Sequence, residues 1–224
     1  MTTLSPTIAR PHASATPFSI PSRNQAIIRA LDITIAVAAL IFFLPVMALL
    51  CVILASQGGP IFFAHRRLGL NGSRFYCLKF RSMVVDAEQR LAKLLSEDPN
   101  ARREWCENHK LRNDPRITAF GRFLRQSSLD ELPQLINVLR GEMSIVGPRP
   151  IVEAEVARYG HRISHYYSVK PGLTGIWQVC GRSDVKYRTR VAMDCIYARA
   201  IRPGLYLRLV AATVPAVLMR RGSY

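Results

Sequence analysis

The 224-residue sequence predicts a mostly α-helical fold with one small β-hairpin (α+β), attached to a membrane through a single apolar helix. Three observations carry that reading. The run ITIAVAALIFFLPVMALLCVILA, from Ile33 to Ala55, holds 23 residues without a charge, enough for a helix to cross a bilayer. Leu132, Leu135, Ile136 and Leu139 fall at i, i+3, i+4 and i+7, the apolar stripe of an amphipathic helix. Leu70-Asn71-Gly72 separates two strand-like runs, IFFAHRR and RFYCLKF, as a tight hairpin turn does.

Residues 1–25 are rich in Pro, Ser, Thr and Ala without periodicity and read as a flexible tail before a domain covering 26–224. Within that domain the hydrophobic helix occupies about 30–56 and a catalytic or binding body about 57–224. The apolar run is too long for a signal peptide, lies behind some thirty residues and lacks a small-x-small cleavage site. Pro45 lacks an N–H and crowds the carbonyl of Ile41, so a helix kink is expected there. Arg23 and Arg29 precede the run, and Arg66, Arg67, Arg74, Lys79 and Arg81 follow it. Basic flanks on both sides favour keeping both ends in the cytoplasm. A kinked spanning helix and a re-entrant one both satisfy these residues.

Along the body, Gln57-Gly58-Gly59-Pro60 is a turn before the hairpin, whose second strand is Arg74 to Phe80. Met83 to Leu95, with apolar positions 84, 91, 94 and 95, predicts a helix that Asp98-Pro99-Asn100 ends. Asn113-Asp114-Pro115 is a turn, and Ile117 to Arg125 reads as a helix interrupted by Gly121. Gly141 closes the helix of the leucine stripe, with Arg140 in its last turn. Ile151 to Tyr159 predicts a short helix and Ile176 to Val179 a strand. Leu205 to Met219 is apolar but broken by Arg208 and Pro215, which suits an interfacial or core-packing segment. Arg220 and Arg221 beyond it suit an anionic headgroup layer.

A formal charge of +16 points to polyanionic partners: nucleic acid, phosphorylated substrates or anionic membrane lipids. No zinc spacing, RNA-binding aromatic signature or helix-turn-helix pattern supports nucleic acid, and no Rossmann or P-loop fingerprint is present. Five scattered cysteines without a CxxC pair fit a reducing compartment better than a disulfide framework or a zinc site.

Asp130 and Glu131 stand out against this basic background, two residues before Pro133. One reading is structural. Asp130 at the N-cap puts Pro133 in the first helical turn, where its missing N–H costs nothing, and Ser128 with Glu131 could form a capping box. The other reading is chemical. Arg122 and Arg125 precede the pair, and Arg149 sits between Pro148 and Pro150 in a rigid loop suited to bidentate phosphate contacts. A carboxylate there is a nucleophile toward phosphorus or a ligand for Mg²⁺.

Three stretches together resemble the bacterial sugar transferases, the small polyprenyl-phosphate phosphoglycosyl transferases that start exopolysaccharide, O-antigen or glycan synthesis. They are KFRSM (Lys79 to Met83), ITAFGRFLRQSSLDELPQLINVLRGEMSIVGPRP (Ile117 to Pro150) and VKPGLTGIWQVCGR (Val169 to Arg182). The resemblance implies transfer of a sugar 1-phosphate from a UDP-sugar to undecaprenyl phosphate at the cytoplasmic face of the bacterial inner membrane, releasing UMP. It implies Asp130 as nucleophile, Glu131 as its partner in organising Mg²⁺ or the acid–base environment, and Arg125 and Arg149 as phosphate contacts. Lys79, Arg81 and Arg122 become candidates for further substrate or membrane contacts. It also implies that the proline-kinked helix, with Pro45 at the break, is re-entrant, with amphipathic helices at the interface. UDP-galactose or UDP-glucose is the expected donor, while a homo-oligomer is left open. Two positions depart from the pattern: Cys180 replaces a common serine, and Tyr206 stands where an aspartate is usual. Arg202, Pro203 and Gly204 predict a less helical segment there.

Overall fold

The computed structural model describes residues 21–108, 111, 113–180 and 185–218. The expected tail through residue 20 and the Arg220–Arg221 pair lie outside the described residues. Helix α1 begins at Ser22, four residues before the expected domain boundary, and runs to Ser56 through Pro45. Its 35 residues reach about 52 Å at 1.5 Å per residue. Among the described residues it is the one helix long and apolar enough to cross a membrane, and only 11 % of its most apolar stretch is buried.

Both ends of α1 nevertheless pack on protein. Ile28 and Ala36 belong to a core with Leu135, Val138, Met143, Val146 and Tyr206. Leu50 and Leu54 join a second core with Phe80 and Leu124. Between them Ile41, Phe42, Leu44 and Leu49 are exposed, an apolar surface that water would not tolerate at this density.

Strands β1 (Phe62–Leu68) and β2 (Arg74–Phe80) form the expected antiparallel hairpin, Phe62 opposite Phe80 and Leu68 opposite Arg74. The five-residue connection Gly69–Ser73 contains a 3₁₀ turn at Leu70–Gly72, in which Asn71 and Gly72, at φ 56° and 73°, take the left-handed conformation. Helix α2 starts only at Ala87. Met83 is drawn instead into a β-bridge with Ile117, flanked by bonds from Val84 N to Arg116 O and Thr118 N to Ser82 O, so its backbone is unavailable to a helix. Asp98 closes α2 in extended conformation, and its carboxylate then accepts from the amides of Asn100 and Ala101. It therefore caps a further helix, α3 (Pro99–Asn108), which the sequence reading lacked.

Helix α4 (Ala119–Gln126) is capped by Thr118 and passes through Gly121 without a break. The glycine serves close packing: a Cβ there would lie 1.9 Å from the Ser82 carbonyl oxygen. A 3₁₀ turn, Leu129–Glu131, leads into α5 (Gln134–Arg140), which ends at Gly141 with φ 81°. Strand β3 (Ser144–Val146) pairs in parallel with β4 (Gly172–Thr174), Ser144 opposite Gly172 and Val146 opposite Thr174. Between them lie α6 (Val156–Tyr159), preceded by a 3₁₀ turn at Glu153–Glu155, and α7 (Ile163–Tyr167). Ile176–Cys180 is helix α8 rather than a strand. The strand falls on the preceding glycines, because Gly147 and Gly172 approach too closely for any side chain.

Helices α9 (Tyr187–Ala200) and α10 (Pro203–Leu218) complete the described chain. The Arg202–Gly204 segment does not weaken α10, since Pro203 occupies its first position, where a missing N–H costs nothing.

Candidate active site

The dyad lies in the 3₁₀ turn ahead of α5. Ser128 enters it in the left-handed region, φ 59°, with no side-chain capping bond, so the expected Ser128–Glu131 capping box does not form. Glu131 is free to turn outward, and Asp130 is 5 % exposed. Both meet Lys79 from β2. Its Nζ donates to Glu131 Oε1 at 2.6 Å and stands 3.5 Å from Asp130 Oδ2.

A buried amide fixes that meeting. Asn137 of α5 accepts from the Leu78 amide at 3.0 Å and donates to the Tyr76 carbonyl at 2.8 Å, taking up the free edge of β2. This sets strand against helix, so Lys79, one residue beyond Leu78, reaches the turn that precedes α5. Period-two alternation puts Cys77 on the same face of the hairpin as Lys79, and Arg67, opposite Phe75 on β1, shares that face. These three line an open cleft together with Glu131, Gln134, Arg149, Leu173 and Gln178.

The structure brings Asp130, Glu131, Lys79, Arg125 and Arg149 into one neighbourhood, of which Lys79, Glu131 and Arg149 line the cleft while the buried Asp130 and the half-buried Arg125 do not. Arg149 is exposed between the buried Pro148 and Pro150. Arg125 stands behind the pair, its Nε donating to Ser82 Oγ at 2.9 Å, close enough to Asp130 for each to feel the other's charge. Other expectations part from the cleft. Arg81 is buried and donates to the Leu54 carbonyl at 3.2 Å, anchoring the end of α1. Arg122 is exposed on α4, Pro45 lies within α1, and neither lines the cleft. Arg182 falls outside the described residues. Arg67, Gln134, Asn137 and Gln178 were missed. The hairpin register could have found Arg67; nothing in the one-dimensional pattern marks the others.

The two carboxyls are pushed in opposite directions. Burial raises Asp130 above the ordinary aspartate value, against the pull of Lys79, and the neighbouring Glu131 charge adds to the rise. Burial acts on Glu131 as well, but Lys79, Arg149 and hydrogen bonds from Lys79 and Gln134 outweigh it and hold that group below its usual range. Adjacent acids with separated proton affinities can hold different protonation states near one pH.

Among the described residues no three His, Cys, Asp or Glu side chains gather as a metal cluster. A pair of carboxylates already bridged by one cation, Lys79, nonetheless suits Mg²⁺, which commonly takes one or two carboxylates and completes its shell with phosphate oxygens and water.

The profile of the family described as "Bacterial sugar transferase" matches residues 23–220. The chain belongs to the bacterial sugar transferase family. A UDP-galactose-lipid carrier transferase of Erwinia amylovora is 47 % identical over 196 residues, 88 % of this chain and 41 % of that protein. The exopolysaccharide production protein ExoY of Rhizobium meliloti is 44 % identical over 220 residues, 95 % of this chain and 97 % of that one. A UDP-glucose:undecaprenyl-phosphate glucose-1-phosphate transferase of Xanthomonas campestris pv. campestris is 41 % identical over 202 residues, 86 % and 39 %. The chain thus spans about two-fifths of the first and third relatives and nearly all of the second.

Lys79 pulls both carboxyls toward ionisation, so Lys79→Met should move the protonation midpoints of Asp130 and Glu131 upward. Carboxyl ¹³C chemical shifts followed through a pH titration read this directly, and unchanged midpoints would remove Lys79 from the pair's electrostatics.

Proposed function

We propose that this sugar transferase moves a sugar 1-phosphate from a UDP-sugar to undecaprenyl phosphate, giving undecaprenyl-diphosphate-sugar and UMP, the first membrane step of exopolysaccharide synthesis. The observation that carries this reading is the pairing of the buried Asp130 and its neighbour Glu131 on Lys79, with Lys79 and Glu131 lining a cleft together with Arg67 and Arg149. The names of the relatives support the substrate class, and they favour galactose or glucose as the sugar.

In the first step an Asp130 carboxylate oxygen attacks the sugar-bearing phosphorus. An oxygen–phosphorus bond forms, the bridge to the α-phosphate breaks, and the electron pair leaves with UMP. In the second, a phosphate oxygen of undecaprenyl phosphate attacks the same phosphorus and returns Asp130 as a carboxylate. Two displacements replace one, which gives ping-pong kinetics. Asp130 must be ionised to attack, so its raised proton affinity sets the acidic limb: activity falls as pH drops through that value. Lys79 and Arg125 favour the anion, while Arg149, between two prolines, offers a pre-aimed guanidinium to the diphosphate. Asp130 and Glu131 would hold Mg²⁺, which when bound offsets charge on the diphosphate and the departing UMP.

The same reading makes α1 re-entrant and the protein monotopic, with its body on the cytoplasmic face of the inner membrane against anionic lipids. Support comes from the packing of Ile28 and Ala36 at one end of α1, and of Leu50 and Leu54 at the other, onto one body. A straight span of about 52 Å would carry those ends to opposite sides of a hydrocarbon core about 30 Å thick. Pro45 removes the hydrogen bond to Ile41 near the middle of the exposed apolar stretch, where a turn back is least costly.

Two experiments test this reading. Purified protein incubated with Mg²⁺, UDP-galactose or UDP-glucose and undecaprenyl phosphate should release UMP, and Asp130→Asn should lower that rate by about 10³-fold or more. Release of UDP instead would indicate a glycosyltransferase making a monophosphate-linked lipid, and full turnover by the variant would dismiss Asp130 as nucleophile. Cysteines placed singly at Arg23 and Arg66 should react with an impermeant reagent from the same face of oriented vesicles; labelling from opposite faces would rule out the re-entrant topology.

A further inference from the structure

Asp32 is the only acid in α1 and is 2 % exposed. An ionised carboxylate is costly to bury unless donors meet its lone pairs, and here three converge on one oxygen. Oδ1 accepts from Ser144 Oγ at 2.8 Å, from the Ile145 amide at 2.8 Å and from the Tyr206 hydroxyl at 2.7 Å. Tyr206, the residue that departs from the family resemblance, is therefore part of this anchor. The acid does not reach the cleft, and nothing in the reaction uses it.

What it holds is the root of the Arg149 loop. Ser144 and Ile145 open β3, and Arg149 follows four residues after Ile145. Little slack lies between them. The Val146 carbonyl accepts from Tyr197 OH at 2.8 Å, Gly147 N donates to Thr174 O at 2.8 Å, and Gly172 N donates to Pro148 O at 2.8 Å. A Cβ on Gly147 would lie 2.4 Å from the Lys170 carbonyl oxygen, so that stretch is pressed against the β4 segment as well. Pro148 and Pro150 restrict the backbone on either side of the guanidinium. One turn earlier on α1, Arg29 donates to the Val138 and Leu139 carbonyls at 2.6 and 2.8 Å, gripping the far end of the helix that follows the dyad. Residues three apart share a helix face, so α1 presents Arg29 and Asp32 to the two supports of the site together.

We propose that Asp32 is a positioning residue: from within the membrane helix it sets β3 and so aims Arg149 at the diphosphate of the nucleotide sugar. The proposal rests on the reading above only in giving Arg149 a phosphate to hold.

A double-mutant cycle on the full-length protein in detergent or nanodiscs tests it, with UDP affinity by calorimetry as the readout and kcat/KM for UMP release beside it. Asp32→Asn should weaken UDP binding about tenfold and Arg149→Ala by at least as much. The double variant should bind no more than about twofold worse than Arg149→Ala alone, since a residue acting through Arg149 has nothing left to aim. Tyr206→Phe keeps the ring and removes one of the three bonds, so it serves the same cycle with a smaller loss, about threefold, should Asp32→Asn not fold. Multiplying losses would overturn the proposal, as would a lowered melting temperature with unchanged UDP affinity. If Arg149→Ala alone leaves UDP affinity intact, the phosphate role of Arg149 falls and the positioning proposal with it. Absence of UMP release by the wild type, with the non-additive binding retained, would fault the reaction and leave the positioning standing.

Discussion

Two carboxyls on consecutive residues, one of them buried, need a cation, and the Lys79 ammonium on β2 supplies it. Much of the body follows from bringing that lysine to that turn. The strand edge carrying it is held by Asn137, a fully buried side chain that satisfies both an amide and a carbonyl of β2. An unpaired strand edge would otherwise leave polar groups without partners in the interior. The same alternation that turns Lys79 toward the dyad turns Cys77 toward it and sets Arg67 on the same face, so the hairpin presents a basic face to the cleft.

Separate proton affinities then arise from placement alone. Asp130 faces inward and is raised by burial, while Glu131 faces Lys79, Arg149 and Gln134 and is held low. A carboxyl that is buried yet drawn toward ionisation by a lysine suits the nucleophilic role proposed for Asp130. Around it, α1 works as more than an attachment. Arg29 grips the end of α5, Asp32 the start of β3, and Arg81 ties the residue after β2 to the Leu54 carbonyl. Through these three links the apolar helix touches each of the segments that deliver Glu131, Arg149 and Lys79.

The legible parts were those set by local physics. The hairpin followed from strand alternation and the Asn71–Gly72 turn, α5 from its leucine stripe and Gly141, and α1 from sheer apolar length. Pro133 did limit where the helix begins, but it is itself the N-cap of α5, and Asp130 lies upstream in the 3₁₀ turn rather than at the expected cap. What escaped depends on contacts between distant segments. The Met83–Ile117 bridge stole the start of α2, and the Gly147–Gly172 approach moved the second parallel strand upstream of Ile176. The left-handed Ser128 undid the capping box and released Glu131 to Lys79. Asp32, just before the apolar run, carried no signal in the sequence, and its bonds reach partners 112 and 174 residues away.

The central claim is that Asp130 carries the sugar phosphate between the two displacements. Mixing the protein with Mg²⁺ and a UDP-sugar, withholding undecaprenyl phosphate, then quenching in acid and digesting for mass spectrometry, tests it most directly. The account predicts one equivalent of UMP released and a hexose phosphate on the peptide containing Asp130, lost when undecaprenyl phosphate is added before the quench. UMP that forms only when the lipid phosphate is present, with no modified peptide, would contradict it and make the transfer a single direct displacement.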